Sequence, residues 1–323
     1  MHNIDGCIFF KSSRLVILTS QTEIKKSLKI GMAVLFAFGA MILWSVGDFL
    51  VQRMAKNIGN FEALAWINLI GGLGLLPFVI GDLGLLATPR YLLPLLALGV
   101  IDFVFGLTIL KAYERGKLSV IEVVMIVELP FTILLGMLFF KESLTLLQII
   151  LVLMILVGVS LISRGEESIL KKFYILITGA ARPYEKGVIL ALVAALLSAF
   201  YNFMIAVNAR DVAPVMAIWF PWVVSLTFLL VYMLYKRGTD KFFAHGRKHM
   251  KLILYGSLIE TAAWLFFAFA LSKKELSITT AITESYPALA MFLGVKFNKE
   301  KITGLQYAGA ATALLASVAM AFS

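Results

Sequence analysis

A ten-residue phrase is written twice in this chain, and that duplication limits the fold more than any other feature. Residues 139–148 and 297–306 both read F-x-K-E-x-x-T-x-L-Q, identical at six of ten positions and 158 residues apart. The register extends beyond the phrase. Gly136 meets Gly294, Leu118-Ser119 meets Leu276-Ser277, Ala112 meets Ala270, and Ile101-Asp102 meets Ile259-Glu260. At an offset of 154, Ala40, Leu43, Phe49 and Ala55 meet Ala194, Leu197, Phe203 and Ala209, which sets Asp48 against Asn202 and Lys56 against Arg210. Internal repetition fixes architecture before local propensity does. The chain is two copies of one unit.

Each unit is too apolar for water. The 323 residues are 61% hydrophobic and 15% charged, whereas a soluble domain is roughly half apolar and a quarter charged. Ten runs are long enough to cross a hydrocarbon core, which takes about 20 helical residues: 31–54, 61–81, 91–112, 119–140, 144–163, 187–208, 213–235, 250–271, 278–297 and 302–322. Unbroken apolarity predicts helices, since barrel strands would alternate. Residues 1–30, polar and mixed, are expected to be a disordered tail. Residues 164–186 and the basic stretch 236–251 with Phe242-Phe243 are expected to be interfacial connectors. The net charge of +10 sits in short loops, as insertion and anionic headgroups favour, and argues against nucleic acid as a partner. The single cysteine, Cys7, excludes an internal disulfide and a cysteine metal cage.

The predicted organisation is a tail over 1–30, a first five-helix repeat over 31–163, a connector over 164–186 and a second repeat over 187–323. Five is odd, so the second copy enters the membrane upside down. The fold class is an all-α integral membrane protein of ten transmembrane helices in two inverted five-helix repeats. Inverted repeats place the substrate site at their interface.

Each unit ends in the same way. Val127-Glu128-Leu129-Pro130 runs to Glu142, Thr145, Gln148 and Gly158, and Thr283-Glu284-Ser285-Tyr286-Pro287 runs to Glu300, Thr303, Gln306 and Gly309. In this ending, over about residues 31–322, the chain resembles the EamA-type branch of the drug/metabolite transporter superfamily. The resemblance implies ten helices in two inverted repeats and transport of small metabolites, often export. Two features depart from the family pattern: the Pro-to-Glu spacing differs by one residue between copies, and the helices carry more acids than such transporters usually need.

Those acids are the candidate site. An ionisable group at mid-helix costs about 2.5–3.5 kcal/mol on insertion scales, so each is a functional hypothesis. Asp102 and Glu260 are repeat equivalents near the middle of their runs, and a pseudo-axis would bring them to one cavity, able to carry a proton or face a cation. Asp48, opposite its equivalent Asn202, suits a polar ligand, although Gln52 one turn on is an alternative partner. Glu128 and Glu284 each precede a proline, and Pro130 and Pro287 are expected to kink cavity-lining gates. Trp44, Tyr113, Tyr201, Trp264 and Tyr286 are placed to stack on a flat or cationic ligand. Glu122 reads as a helix-start acid, Lys111 as a snorkelling cation beside Glu114, and Glu142 and Glu300 as structural acids at helix junctions. Gly71, Gly72 and Gly74 read as close helix contacts.

The functional expectation is a secondary transporter in the cell membrane, an exporter working by alternating access on amino acids, amines or cationic compounds, with protons as a candidate counter-ion. It calls for no cofactor, metal or enzymatic group. Partners are a small-molecule substrate and the bilayer, in a monomer or homodimer. A sugar-phosphate or nucleotide-sugar exchanger is the alternative, disfavoured because such cargo needs mid-helix basic residues. A membrane-embedded enzyme is the rival class, disfavoured because no apolar run contains His or Cys.

Overall fold

The computed structural model describes residues 5–116, 118–162, 183–235, 239–289 and 303–323. Among them the secondary structure is helical. In chain order the helices are α1 (Asp5–Ile58), α2 (Asn60–Val79), α3 (Pro89–Arg115), α4 (Leu118–Met125), α5 (Glu128–Phe139), α6 (Leu146–Ile162), α7 (Pro183–Asp211), α8 (Met216–Tyr235), α9 (Thr239–Leu271), α10 (Leu276–Thr283) and α11 (Gly304–Ala321), with a 3₁₀ segment at Ile80–Ala87. Among the described residues, seven helices are long and apolar enough to cross a bilayer. Helices satisfy their own backbone, which lipid requires.

The molecule is apolar outside and partly polar inside. Leu35, Phe78, Leu153, Val157, Leu234 and Leu315 are exposed, while Asn68, Asp102, Glu122, Glu128, Asn202 and Glu284 are buried. That inversion of the water-soluble pattern is what lipid as solvent selects. Helices pair in a reciprocal pattern: α1 lies along α9, α3 along α7, α2 along α8, and α6 along α11. At the last contact, a Cβ on Gly158 would lie 2.7 Å from the Gly309 carbonyl oxygen and 2.8 Å from the Ala313 nitrogen, so only glycine permits this approach. Gly71 is likewise pressed against Trp222 and Thr261, whereas Gly72 and Gly74 face open space.

Several expectations need correction. The run 119–140 is two helices, separated by a turn at Ile126-Val127. Pro130 has no N–H to give the Ile126 carbonyl, and the Leu129 N–H takes that carbonyl instead at 3.1 Å. Pro130 therefore occupies the first turn of α5, where proline is tolerated, and lies exposed after the break rather than at a mid-helix kink. A second interruption falls at Glu284-Ser285, before Pro287, where Ser285 N donates to Ile282 O at 3.3 Å. Residues 5–30, expected as a tail, continue α1 without interruption. The basic stretch after residue 238 belongs to α9, bent at His249 (φ −115°, ψ 18°), and Phe242 is buried in a stack on Trp66 at 4.4 Å. Helix α7 begins at Pro183, inside the expected connector. Most of that connector, the end of the run 278–297 and the repeat phrase from Phe297 through Ile302 lie outside the described residues.

Candidate functional site

Helical spacing places the polar side chains on one surface. Trp44, Asp48 and Val51 follow an i, i+4, i+7 row on α1, and Asp102, Phe105, Gly106, Ile109, Leu110 and Tyr113 continue one on α3. Ser198, Tyr201 and Asn202 on α7, and Glu260 and Trp264 on α9, do the same over a single turn. Together with Asn68 of α2, Glu128 of α5, Trp222 of α8 and Glu284 and Tyr286 of the second interruption, these rows surround one cavity. Asp48, Asp102, Glu128, Asn202, Glu260 and Glu284 are therefore brought together, as are Trp44, Tyr113, Trp264 and Tyr286. Pro130 and Pro287 stand off the wall. Among the described residues the wall carries five carboxylates and seven aromatic side chains, and no Lys, Arg or His.

The repeat-related acids share this cavity but do not touch. Asp102 Oδ1 accepts from the Tyr201 hydroxyl at 2.8 Å, and Oδ2 from Asn68 Nδ2 at 3.4 Å. Asn68 Nδ2 also donates to Ser225 Oγ at 2.9 Å. Glu260 Oε1 accepts from Trp264 Nε1 at 2.6 Å. The Tyr201 and Trp264 rings meet edge to face at 5.1 Å and 75°, with Phe105 packed against both at 5.3 and 6.5 Å. An aromatic partition thus separates Asp102 from Glu260.

On the Glu260 side the acids crowd. Glu122 accepts from the Tyr113 hydroxyl at 2.8 Å and from the Tyr286 hydroxyl, and Asp48, Glu260 and Glu284 lie within electrostatic reach of it. Glu122 is buried to 4% exposure, so its reading as a helix-start acid is corrected: it anchors two cavity tyrosines from behind. Its partner Tyr286 is 164 residues away in sequence, which is why the chain alone gives no hint of the pairing. Asn202 Nδ2 donates to Glu128 Oε1, joining α7 to the start of α5. Gln52 does not pair with Asp48 and instead donates to the Gly116 carbonyl at 3.4 Å.

Three buried acceptors on this wall have no partner: Asn68 Oδ1, Asn202 Oδ1 and Glu260 Oε2. A buried acceptor without a donor costs about 1–3 kcal/mol. The wall is therefore complementary to a donor-rich, positively charged guest, for which aromatic faces add about 0.5–2 kcal/mol per favourable contact.

The first copy of the repeat phrase reaches across to the second half of the chain. The Thr-x-x-Gln of the phrase is a capping box in both copies. Thr145 N donates to Gln148 Oε1 at 2.9 Å and Gln148 N to Thr145 Oγ1 at 3.2 Å; the same exchange at Thr303 and Gln306 measures 2.8 and 3.3 Å. Such a box satisfies two otherwise orphan helix-start donors. Lys141, with φ 55°, turns the chain at the end of α5 and aims Glu142 across the molecule. Glu142 accepts from Leu276 N (2.7 Å), Ser277 N (3.0 Å) and Ser277 Oγ (2.7 Å). It is a structural acid as expected, but it caps α10 of the second copy rather than its own neighbour α6. Arg210 completes the clasp: Nη2 lies 3.5 Å from Glu142, Nε donates to Leu271 O at 3.0 Å, and the guanidinium covers Phe140 at 4.2 Å. Lys111 is bound to Glu114 at 2.7 Å and off the cavity wall.

Comparison with known proteins places these features in a family. No curated protein matches the sequence. A solved structure described only as "Crystal structure of protein", one of 28 matching chains, superposes with a TM-score of 0.66 over 88% of this chain and 95% of that one, at 16% identity. At that identity the likeness concerns the fold alone. The family model for EamA-like transporters matches twice, over residues 31–164 and 185–322. With each half matched separately and nearly all the chain covered, this multi-pass membrane protein belongs to the EamA-like transporter family.

Proposed function

We propose that this transporter moves small cationic metabolites, amines foremost, out of the cell across the plasma membrane by alternating access, in exchange for protons. The observation that carries the reading is the charge of the cavity wall: among the described residues it has five carboxylates, seven aromatic side chains and no basic side chain. Cationic compounds match that wall, and unpartnered acceptors on it favour a guest that donates hydrogen bonds. Amino acids fit less well, because their carboxylate would face the same acids. A sugar-phosphate exchanger would need a basic wall, and Lys111 is already paired elsewhere.

Ten spans in two inverted repeats complete the proposal. The reciprocal pairing of α1 with α9 and α3 with α7, beside the self-matching pairs α2 with α8 and α6 with α11, is the pattern a two-fold axis in the membrane plane produces. Gly187 at the start of α7 abuts Gly116 at the end of α3, while Arg210 at the end of α7 reaches Leu271 at the end of α9, so α3 and α7 run in opposite directions. The interrupted helices put the ends of short helices at the cavity, as broken transporter helices do. The test is uptake of labelled alkylamines into proteoliposomes holding the full chain. Saturable uptake sensitive to Glu260→Gln supports the proposal, and uptake of sugar phosphates but not amines would overturn it.

A further inference from the structure

Resting on the cationic-cargo reading, the geometry points to a narrower class: we infer that the cavity holds two cation subsites, one on each side of the Tyr201–Trp264 partition, and that its cargo is an amine bearing two positive charges. Asp102 and Glu260 each take their hydrogen bonds from neutral groups, Tyr201 and Asn68 on one side and Trp264 on the other. Neither acid therefore receives a counter-charge from its bonded partners.

Each side also keeps a buried acceptor open, in addition to the third on this wall, Asn202 Oδ1. Beside Asp102 it is Asn68 Oδ1, on a side chain only 1% exposed; on the other side it is Glu260 Oε2. An open acceptor beside a carboxylate, as at Asp102, or on the carboxylate itself, as at Glu260, is what an ammonium group, with three donors and a charge, would complete. Occupying one side alone would leave the other open. Between the two, the rings of Tyr201, Trp264 and Phe105 offer apolar edges to whatever joins the charged ends. Charge at both ends and hydrocarbon between them is the chemistry of an aliphatic diamine. A zwitterion of the same length would set its carboxylate against one of the two acids.

The experiment is binding to the purified full-length protein, followed by calorimetry or tryptophan fluorescence. The ligands are straight-chain propane to hexane diamines, each against the monoamine of equal chain length. A two-subsite cavity binds at least one diamine about tenfold or more tighter than its monoamine, with an optimum chain length. In Asp102→Asn the diamine-to-monoamine ratio falls to about one, and Asn68→Ala, which leaves the acid in place, lowers the same ratio. Matched affinities for diamine and monoamine in the unaltered protein overturn the inference while leaving a cationic cargo intact. Absence of binding by every amine overturns the cationic-cargo reading itself.

Discussion

Tyr201 and Trp264 meet edge to face at 5.1 Å, and each holds one of the two acids that the duplication pairs: the tyrosine hydroxyl binds Asp102, the indole N–H binds Glu260. The two halves thus contribute equivalent carboxylates to one cavity without letting them collide. Like charges in direct contact would cost several kcal/mol in a dry interior, and two aromatic rings keep these apart.

If both acids bind cargo, replacing either charge removes a charge-assisted contact. Asp102→Asn and Glu260→Gln should each lower amine uptake by about ten- to a hundredfold, as hydrogen bonds to charged groups are worth about 1.5–3 kcal/mol. Uptake in proteoliposomes is the measurement, with quantified insertion of each variant as its control. Unaltered uptake would remove these residues from the mechanism.

Cargo and protons compete for the same carboxylates in the proposed exchange. Amine leaving a loaded vesicle should therefore acidify the lumen, and an inwardly directed proton gradient should accelerate that efflux. A pH-sensitive dye trapped inside reads both. Efflux indifferent to the gradient would leave a uniporter.

Glu122 supports the cavity from behind by accepting two buried tyrosine hydroxyls. Glu122→Ala orphans Tyr113 and Tyr286 at once and should cost about 2–6 kcal/mol, at about 1–3 kcal/mol for each buried group left unpaired. Thermal unfolding would register this as a clear loss of Tm, and Glu122→Gln, which can still accept from one hydroxyl, should lie between.

The Glu142 clasp ties the end of α5 to the start of α10 across the two copies. Cutting it with Glu142→Ala should favour the state open at that end. The chain has a single cysteine, Cys7, so a Cys7→Ser background carrying Ser198→Cys gives one reporter on the cavity wall. Its labelling by a membrane-impermeant maleimide from the clasp side should speed up about tenfold, the effect of about 1.4 kcal/mol on a two-state equilibrium. An unchanged rate would show that the clasp does not hold that end shut.

Much of this site could be read from the chain, because charged residues in apolar runs are costly and therefore conspicuous. Asp48, Asp102, Glu128, Glu260 and Glu284 all reach the cavity wall, and their placement follows from helical spacing alone. The neutral members were harder to find. Asn68, Ser225 and Trp222 look like ordinary residues of an apolar helix until the fold sets them around Asp102. Glu122 misleads because its position near the start of α4 suggests dipole compensation, and only the fold brings Tyr286 to it. The Thr-x-x-Gln capping signature was present in both repeat phrases, yet the cross-molecule role of Glu142 depends on a contact 134 residues distant. The proline breaks were foreseen in kind, but each interruption falls before its proline because that residue cannot donate to the carbonyl four positions back.

Gly158 has a further consequence. It presses α6 onto the backbone of α11, and neither helix lends a side chain to the cavity. Gly158→Leu should therefore abolish folding rather than alter selectivity. The outward rows of the same pair, at Leu153, Val157, Leu315 and Val318, are a quiet flank of the machine. A fluorophore mounted there would ride on the frame and serve as a fixed reference against which movement of the walls can be ranged.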